Sequence, residues 1–217
     1  MPTAPKVIDW YFDFISPYAY FALLKLDRTL PAGVELRLRP LLFAGLLNHH
    51  GHKGPAEIPA KRIWTYQSCT WSAAQAGIPF RFPAAHPFNP IPYLRLCLAA
   101  GATPAATRTI FDALWTTGAD PADPAQVEAL AARLDVPLAA LEASAVKQQL
   151  RDNGEAAIAA GVFGVPTLVI DGRLFWGVDG LDFAMACLAD PALLDGAEMR
   201  RLATLPAAAS RLRAASA

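Results

Sequence analysis

Two short segments of the 217-residue chain hold residue types that could do chemistry. The first is Ser16-Pro17. It follows Val7–Phe14, which is apolar apart from Asp9 and Asp13, and precedes a run of helix formers from Tyr18 to Leu30. A serine before a proline at the first helical position predicts an N-cap. Unpaired N–H groups and the positive end of the helix dipole favour an anion at such a mouth. The serine hydroxyl can accept from the backbone and still donate its proton to an incoming thiolate. The same field lowers thiol pKa values. The plain alternative is a Ser-Pro cap with no chemistry. A serine hydrolase would need a base and an oxyanion hole. There is no Gly-x-Ser-x-Gly, and the four histidines read as loop residues.

The second segment is Gly164-Val165-Pro166-Thr167, just before a strand pattern. Its proline is either a rigid strand entry or part of a cis bond. A cis bond would present the Val165 backbone to an extended peptide ligand, which would pair with it as a strand does. Around these segments lie weaker candidates. His49, His50 and His52 fall within four residues, but no cysteine or carboxylate cluster accompanies them. A solvated loop over Asn48–Gly54 beside a substrate pocket is therefore preferred to a metal site. His86 could face a substrate or be a loop histidine without a role. Asn89 could contact a substrate, but capping a helix that starts near Ile91 is the better reading. Lys61 could meet a substrate carboxylate or be a solvated helix-start lysine.

The elements that must position these residues follow from periodicity. Val7–Phe14 reads as a strand covered on both faces. Pro31-Ala32-Gly33 stops the next helix, and Val34–Arg39 alternates strictly as a second strand. From Leu42 to Gly154 no strand pattern is convincing. Helices are predicted over Ala60–Ala76, Ile91–Ala100, Pro104–Thr116, Pro124–Leu134 and Leu138–Asn153. Thr167–Ile170 and Arg173–Trp176 then flank Asp171-Gly172, a two-residue hairpin turn. A helix follows from Asp179-Gly180 through Leu188, then a short helix and a frayed end. The order is β-α-β, a helical block, a helix, then β-β-α. The fold class is α/β: a thioredoxin-like unit over 1–45 and 155–217 with a large all-helical insertion over 46–154. Trp10, Trp64, Trp71, Trp115 and Trp176 are expected mostly in the core, with Trp64 and Trp71 able to line an aromatic pocket on one helix.

Composition excludes several classes. Hydrophobic residues make up 54% and charged residues 18%, too apolar for a disordered chain. Nineteen basic residues balance nineteen acidic ones, so no nucleic-acid partner is expected. The Arg200–Arg213 stretch reads as a solvated face. Aspartates interrupt the early apolar run, unlike a secretory signal, and no stretch spans a bilayer. Cys69, Cys97 and Cys187 are an odd number, far apart, and expected to be reduced and mostly buried in a cytoplasmic protein.

Phe12-Asp13-Phe14-Ile15-Ser16-Pro17-Tyr18-Ala19-Tyr20, Val162–Leu168 (V-F-G-V-P-T-L) and Phe175–Leu181 (F-W-G-V-D-G-L) together resemble 2-hydroxychromene-2-carboxylate isomerases. These are relatives of kappa-class glutathione transferases and of periplasmic disulfide oxidases. Middle segments H-G-H-K-G-P, P-A-K-R-I-W-T-Y and F-P-A-A-H-P-F-N-P extend the likeness over about residues 7–190. The resemblance implies a thioredoxin fold with an inserted helical domain, a homodimer, and glutathione as cofactor. It implies that Ser16 holds the glutathione sulfur and that the Val165 backbone holds its cysteinyl part. Trp176, Gly177, Val178 and Asp179 would grip the γ-glutamyl end, with Asp179 on the ammonium. His52, Lys61, His86 and Asn89 are the candidates for contact with a small aromatic 2-oxo acid substrate. Many relatives carry Gly-Asn where this chain has Gly51-His52, and the redox branch has C-x-x-C at S-P-Y-A, where this chain has no cysteine. A dithiol cycle at that site has no resolving sulfur. The implied activity is glutathione-dependent cis-trans isomerisation of an aromatic catabolite. The alternatives are a kappa-like transferase, a disulfide reductase or a non-catalytic binding module.

Overall fold

A computed structural model describes residues 5–209. Strand β1 (Lys6–Phe12) leads into helix α1 (Pro17–Thr29), which returns to strand β2 (Val34–Pro40). Five further helices and two short 3-10 turns follow before α7: α2 (Phe43–His50), α3 (Pro59–Gln75), α4 (Ile91–Ala99), α5 (Pro104–Thr116) and α6 (Pro124–Arg133). Helix α7 (Ser144–Ala159) leads back to the sheet as β3 (Thr167–Ile170) and β4 (Arg173–Trp176), then α8 (Gly180–Ala189) and α9 (Ala197–Ala203). The sheet order is β2-β1-β3-β4. β1 is parallel to β2 and antiparallel to β3, and β3 is antiparallel to β4. This is a thioredoxin-like α/β fold.

Local chemistry explains the elements. Three helices start on a capping side chain followed by proline: Ser16 accepts from Ala19 N, Thr103 from Ala106 N, and Asp123 from Ala125 N. Each satisfies an N–H that the helix itself leaves free. Asp171 and Gly172 both take positive φ, +50° and +76°, as a tight hairpin between twisted strands requires. Buried Trp10, Phe12 and Phe14 meet Phe111 of α5 in one aromatic cluster, with Phe14 and Phe111 centroids 4.6 Å apart. The same buried cluster takes in Tyr93, Ile110 and Trp115. Sheet and helical segment therefore share a core.

The structure corrects several expectations. Phe43–His50 is helical, so His49 and His50 close α2 and do not lie in a solvated loop. The helix expected over Leu138–Asn153 is a 3-10 turn (Leu138–Glu142), an extended Ala143, and α7 running past Gly154 to Ala159. Glycine inside a helix costs only about 1 kcal/mol, so it did not end this one. Of the tryptophans only Trp10 and Trp115 are buried; Trp64, Trp71 and Trp176 are 69%, 65% and 54% exposed. Cys69, Cys97 and Cys187 are free and buried. Among the described residues no helix is long and apolar enough to cross a membrane. Arg211, Arg213 and the expected frayed end lie outside them.

Candidate active site

The sheet topology brings the two sequence segments to one end. Tyr11, near the end of β1, is paired with Thr167, the first residue of β3, and Thr167 is paired with Trp176, the last of β4. The β1–α1 loop with Ser16, the Val165-Pro166 peptide and the Trp176–Asp179 segment therefore leave the same edge of the sheet. The N–H of Gly177 donates to the carbonyl of Pro166 at 2.9 Å, fastening the last two together. The Val165-Pro166 bond is cis, and so is His86-Pro87.

Ser16 is the N-cap of α1. Its Oγ accepts from Ala19 N at 3.2 Å, which leaves its own proton free to donate. The N–H of Tyr18 has no partner among the described residues. Together with the helix dipole, these two donors favour a negative atom. Ser16 is only 7% exposed, so a ligand atom reaches the hydroxyl only when contacts elsewhere carry it in.

Those contacts are available. Neither the N–H nor the C=O of Val165 bonds to another described residue, and both can pair with an extended chain. Asp179 precedes α8 with an exposed carboxylate that makes no cap bond and no ion pair among the described residues. Such a carboxylate can take an ammonium group. Trp176 packs its indole on Phe163, centroids 5.2 Å apart, and covers Gly164 so closely that a Cβ there would lie 2.6 Å from Nε1. Gly177 takes φ +84°, which a side chain would strain. Val178 is half-buried against the main core. This set of donors and acceptors is complementary to an extended peptide with a free ammonium group.

The remaining sequence candidates divide. The Nε2–H of His86 donates to the carbonyl of Ile15 at 2.8 Å, and its Nδ1 lies 2.8 Å from the hydroxyl of Tyr66. Both ring nitrogens thus lie against protein atoms, and His86 anchors the residue before Ser16. Burial pushes its pKa below the ordinary histidine value. Asn89 Oδ1 accepts from the N–H of Ile91, the first residue of α4, at 3.1 Å, although Pro90 is the residue at the N-cap position. His52 and Lys61 are exposed, and no contact of either with the Ser16 end is seen among the described residues. His50, stacked near His52 at 5.8 Å, approaches the carbonyl of Val162 at 3.1 Å and so touches the segment leading to Val165. Among the described residues no group of three ligands could hold a metal.

Two positioning residues were not singled out from sequence. Asp13 is fully buried; its Oδ1 accepts from Ile15 N at 3.1 Å and its Oδ2 from Phe43 N at 2.8 Å. Burial pushes its carboxyl up to about 7, against the opposing backbone bonds from Phe43, Ile15 and Phe14. An aspartate at the end of an apolar strand, three residues before a Ser-Pro cap, was the available signal. Tyr66, which seats His86, has no local sequence signal because the pair is twenty residues apart.

Residues 7–189 match the model of the DSBA-like thioredoxin domain. The 2-hydroxychromene-2-carboxylate isomerase of Sphingobium xenophagum is 29% identical over 194 residues, covering 85% of this chain and 99% of that one. Human glutathione S-transferase kappa 1 is 24% identical over 219 residues, covering 88% and 94%. A solved 2-hydroxychromene-2-carboxylate isomerase superposes with a TM-score of 0.73 at 22% identity, covering 87% of this chain and 97% of that one.

Proposed function

The chain belongs to the DSBA-like thioredoxin domain family, and on that premise we propose that it is a glutathione-dependent isomerase. Its substrate in this reading is 2-hydroxychromene-2-carboxylate and its product trans-o-hydroxybenzylidenepyruvate. The observation that carries the proposal is Ser16, a capping serine with a free hydroxyl proton, at the mouth of α1 beside an unpaired Val165 backbone, in a segment without cysteine. Similarity to isomerases and to a kappa-class glutathione transferase supports it.

Glutathione, when bound, supplies the thiolate that adds reversibly to a conjugated carbon of the substrate, so that a double bond can turn and re-form. The chain's own residues bind and orient. Ser16 Oγ–H and Tyr18 N–H stabilise negative charge at the helix mouth. Val165 N–H and C=O hold an extended backbone, and Asp179 receives an ammonium group. Asp13 and His86 fix the loop that presents Ser16. Near-burial of Ser16 excludes water from the same point, which strengthens each of these electrostatic contacts.

Three buried free thiols support a reducing, cytoplasmic setting. Exposed Ile63, Trp64 and Trp71 on α3 support a homodimer. The second reading, a kappa-like transferase acting on other electrophiles, is favoured by the similarity to kappa-class transferases such as the human enzyme. Absorbance of 2-hydroxychromene-2-carboxylate with and without glutathione tests the proposal. A glutathione-dependent conversion is expected, and its absence overturns the substrate assignment.

A further inference from the structure

A groove of about 330 Å³ opens between α2, α4 and α7. Ser16, Val165 and Trp176–Asp179 are not among its walls. Leu42, Ile91, Leu150 and Ile158 give it an apolar lining, and its size is within the range that takes small molecules. Three cations also border it: Arg95, Lys147 and Arg151.

Those cations are short of acceptors. Glu142 alone serves two of them, Arg95 Nη1 at 2.7 Å and Lys147 Nζ at 2.6 Å, and this carboxylate is itself 64% exposed. The Nε of Arg95 is buried with no acceptor, an arrangement that costs free energy in a folded protein. Arg151 donates only to the side-chain oxygen of Gln148 and pairs with no carboxylate among the described residues. Glu155 is the sole acidic residue in the wall, so with Glu142 two carboxylates face three cations.

Two helical glycines also face the groove, Gly45 of α2 and Gly154 of α7. Neither has a positive φ, and a Cβ at either would meet nothing within 4 Å. Backbone geometry and close packing therefore give no reason for glycine at these positions, where it weakens a helix. What both glycines do is leave the groove unfilled.

We propose that this groove binds a small amphipathic carboxylate, with its apolar body against Leu42, Ile91, Leu150 and Ile158 and its anionic head among Arg95, Lys147 and Arg151. An aliphatic or aryl acid has the size and the single charge that the walls call for. A cation of the same shape would be repelled, and an acid without an apolar body would leave the lining wet.

The test is calorimetric titration of the full chain, free of glutathione, with sodium octanoate, octylamine hydrochloride and sodium acetate. Saturable binding of octanoate alone is expected. Arg151→Glu, on an exposed position, should weaken it at least tenfold. Gly154→Leu should abolish it while the thermal midpoint holds or rises, because a helix former replaces glycine and fills the space. Glutathione affinity should be unchanged in both variants, which separates this site from the Ser16 end. No octanoate heat, an equal response to octylamine, or undiminished binding by Gly154→Leu would overturn the proposal.

Discussion

The N–H of Phe43 donates to Oδ2 of Asp13 at 2.8 Å, so one buried carboxyl ties the loop carrying Ser16 to the first turn of α2. Its pKa is pushed up to about 7 in the fold, from 3.8 for an ordinary aspartate. The folded protein therefore holds a proton that the unfolded chain has released, and stability from this group is lost as pH rises from about 4 to about 7. Asp13→Asn should flatten that part of the stability–pH curve, measured by urea unfolding at half-unit steps. A slope unchanged by the substitution would count against a titrating Asp13.

His86 acts in the opposite direction. Its pKa lies below 6.5 because the ring is buried. The unfolded chain takes up the proton first as pH falls, so the stability it contributes above about pH 6.5 is lost on acidification. His86→Ala should cost roughly 1–3 kcal/mol at neutral pH by orphaning the Ile15 carbonyl, while the Tyr66 hydroxyl keeps its bond to the backbone carbonyl of residue 86. A ring titration followed by NMR should show a midpoint below the ordinary histidine value.

Cap and chemistry can be separated at Ser16. Ser16→Ala removes both and should lose about 1 kcal/mol of stability together with glutathione-dependent turnover. Ser16→Asp keeps a capping oxygen but places a negative charge where an anion is to sit. It should fold nearly as well as wild type and still lose turnover by a hundredfold or so, on the scale of one lost anion-stabilising donor. Retained activity in Ser16→Asp would remove Ser16 from the mechanism.

Asp179 should act on one end of the ligand only. Asp179→Asn is expected to weaken glutathione about tenfold, a change of about 1.4 kcal/mol. It should leave affinity for an analogue lacking the γ-glutamyl amino group unaffected. Equal losses for both ligands would place the effect elsewhere.

Gly164 and Trp176 should behave as a coupled pair. Gly164→Ala puts a Cβ 2.6 Å from Trp176 Nε1, an overpacking worth roughly 1–3 kcal/mol. In Gly164→Ala/Trp176→Ala that cost should largely disappear, and a double-mutant cycle reads the difference.

Much of the scaffold was legible because its signals are local. Ser16-Pro17 and Asp171-Gly172 act through their own backbone, and both formed where expected. Ser16, Val165 and Trp176–Asp179 share one sheet edge because an apolar run marked β1 and a hairpin turn marked β3 and β4, the three strands that carry them. What was missed depends on distant partners. Asp13 needs Phe43, His86 needs Ile15 and Tyr66, and no periodicity encodes those pairs. Helix α2 was missed because Phe43–His50 is short, has no side-chain cap and ends in His49-His50, which with His52 just beyond it resemble a loop. The exposure of Trp64 and Trp71 is likewise invisible to a rule that assigns large aromatics to the interior.

The pairing of β1 with β3 has a consequence during synthesis. Tyr11 leaves the ribosome long before Thr167, its neighbour in the sheet. Until β3 emerges, the nascent chain carries a parallel β1–β2 pair whose β1 flank is unpaired as well as its β2 edge, a state open to mispairing. The Ser16 end is also incomplete then, since Val165 and Asp179 are not yet made. A truncated translation product ending before β3 would thus be sticky, and the Ser16 end of the sheet would be completed only once the segment through Asp179 has emerged.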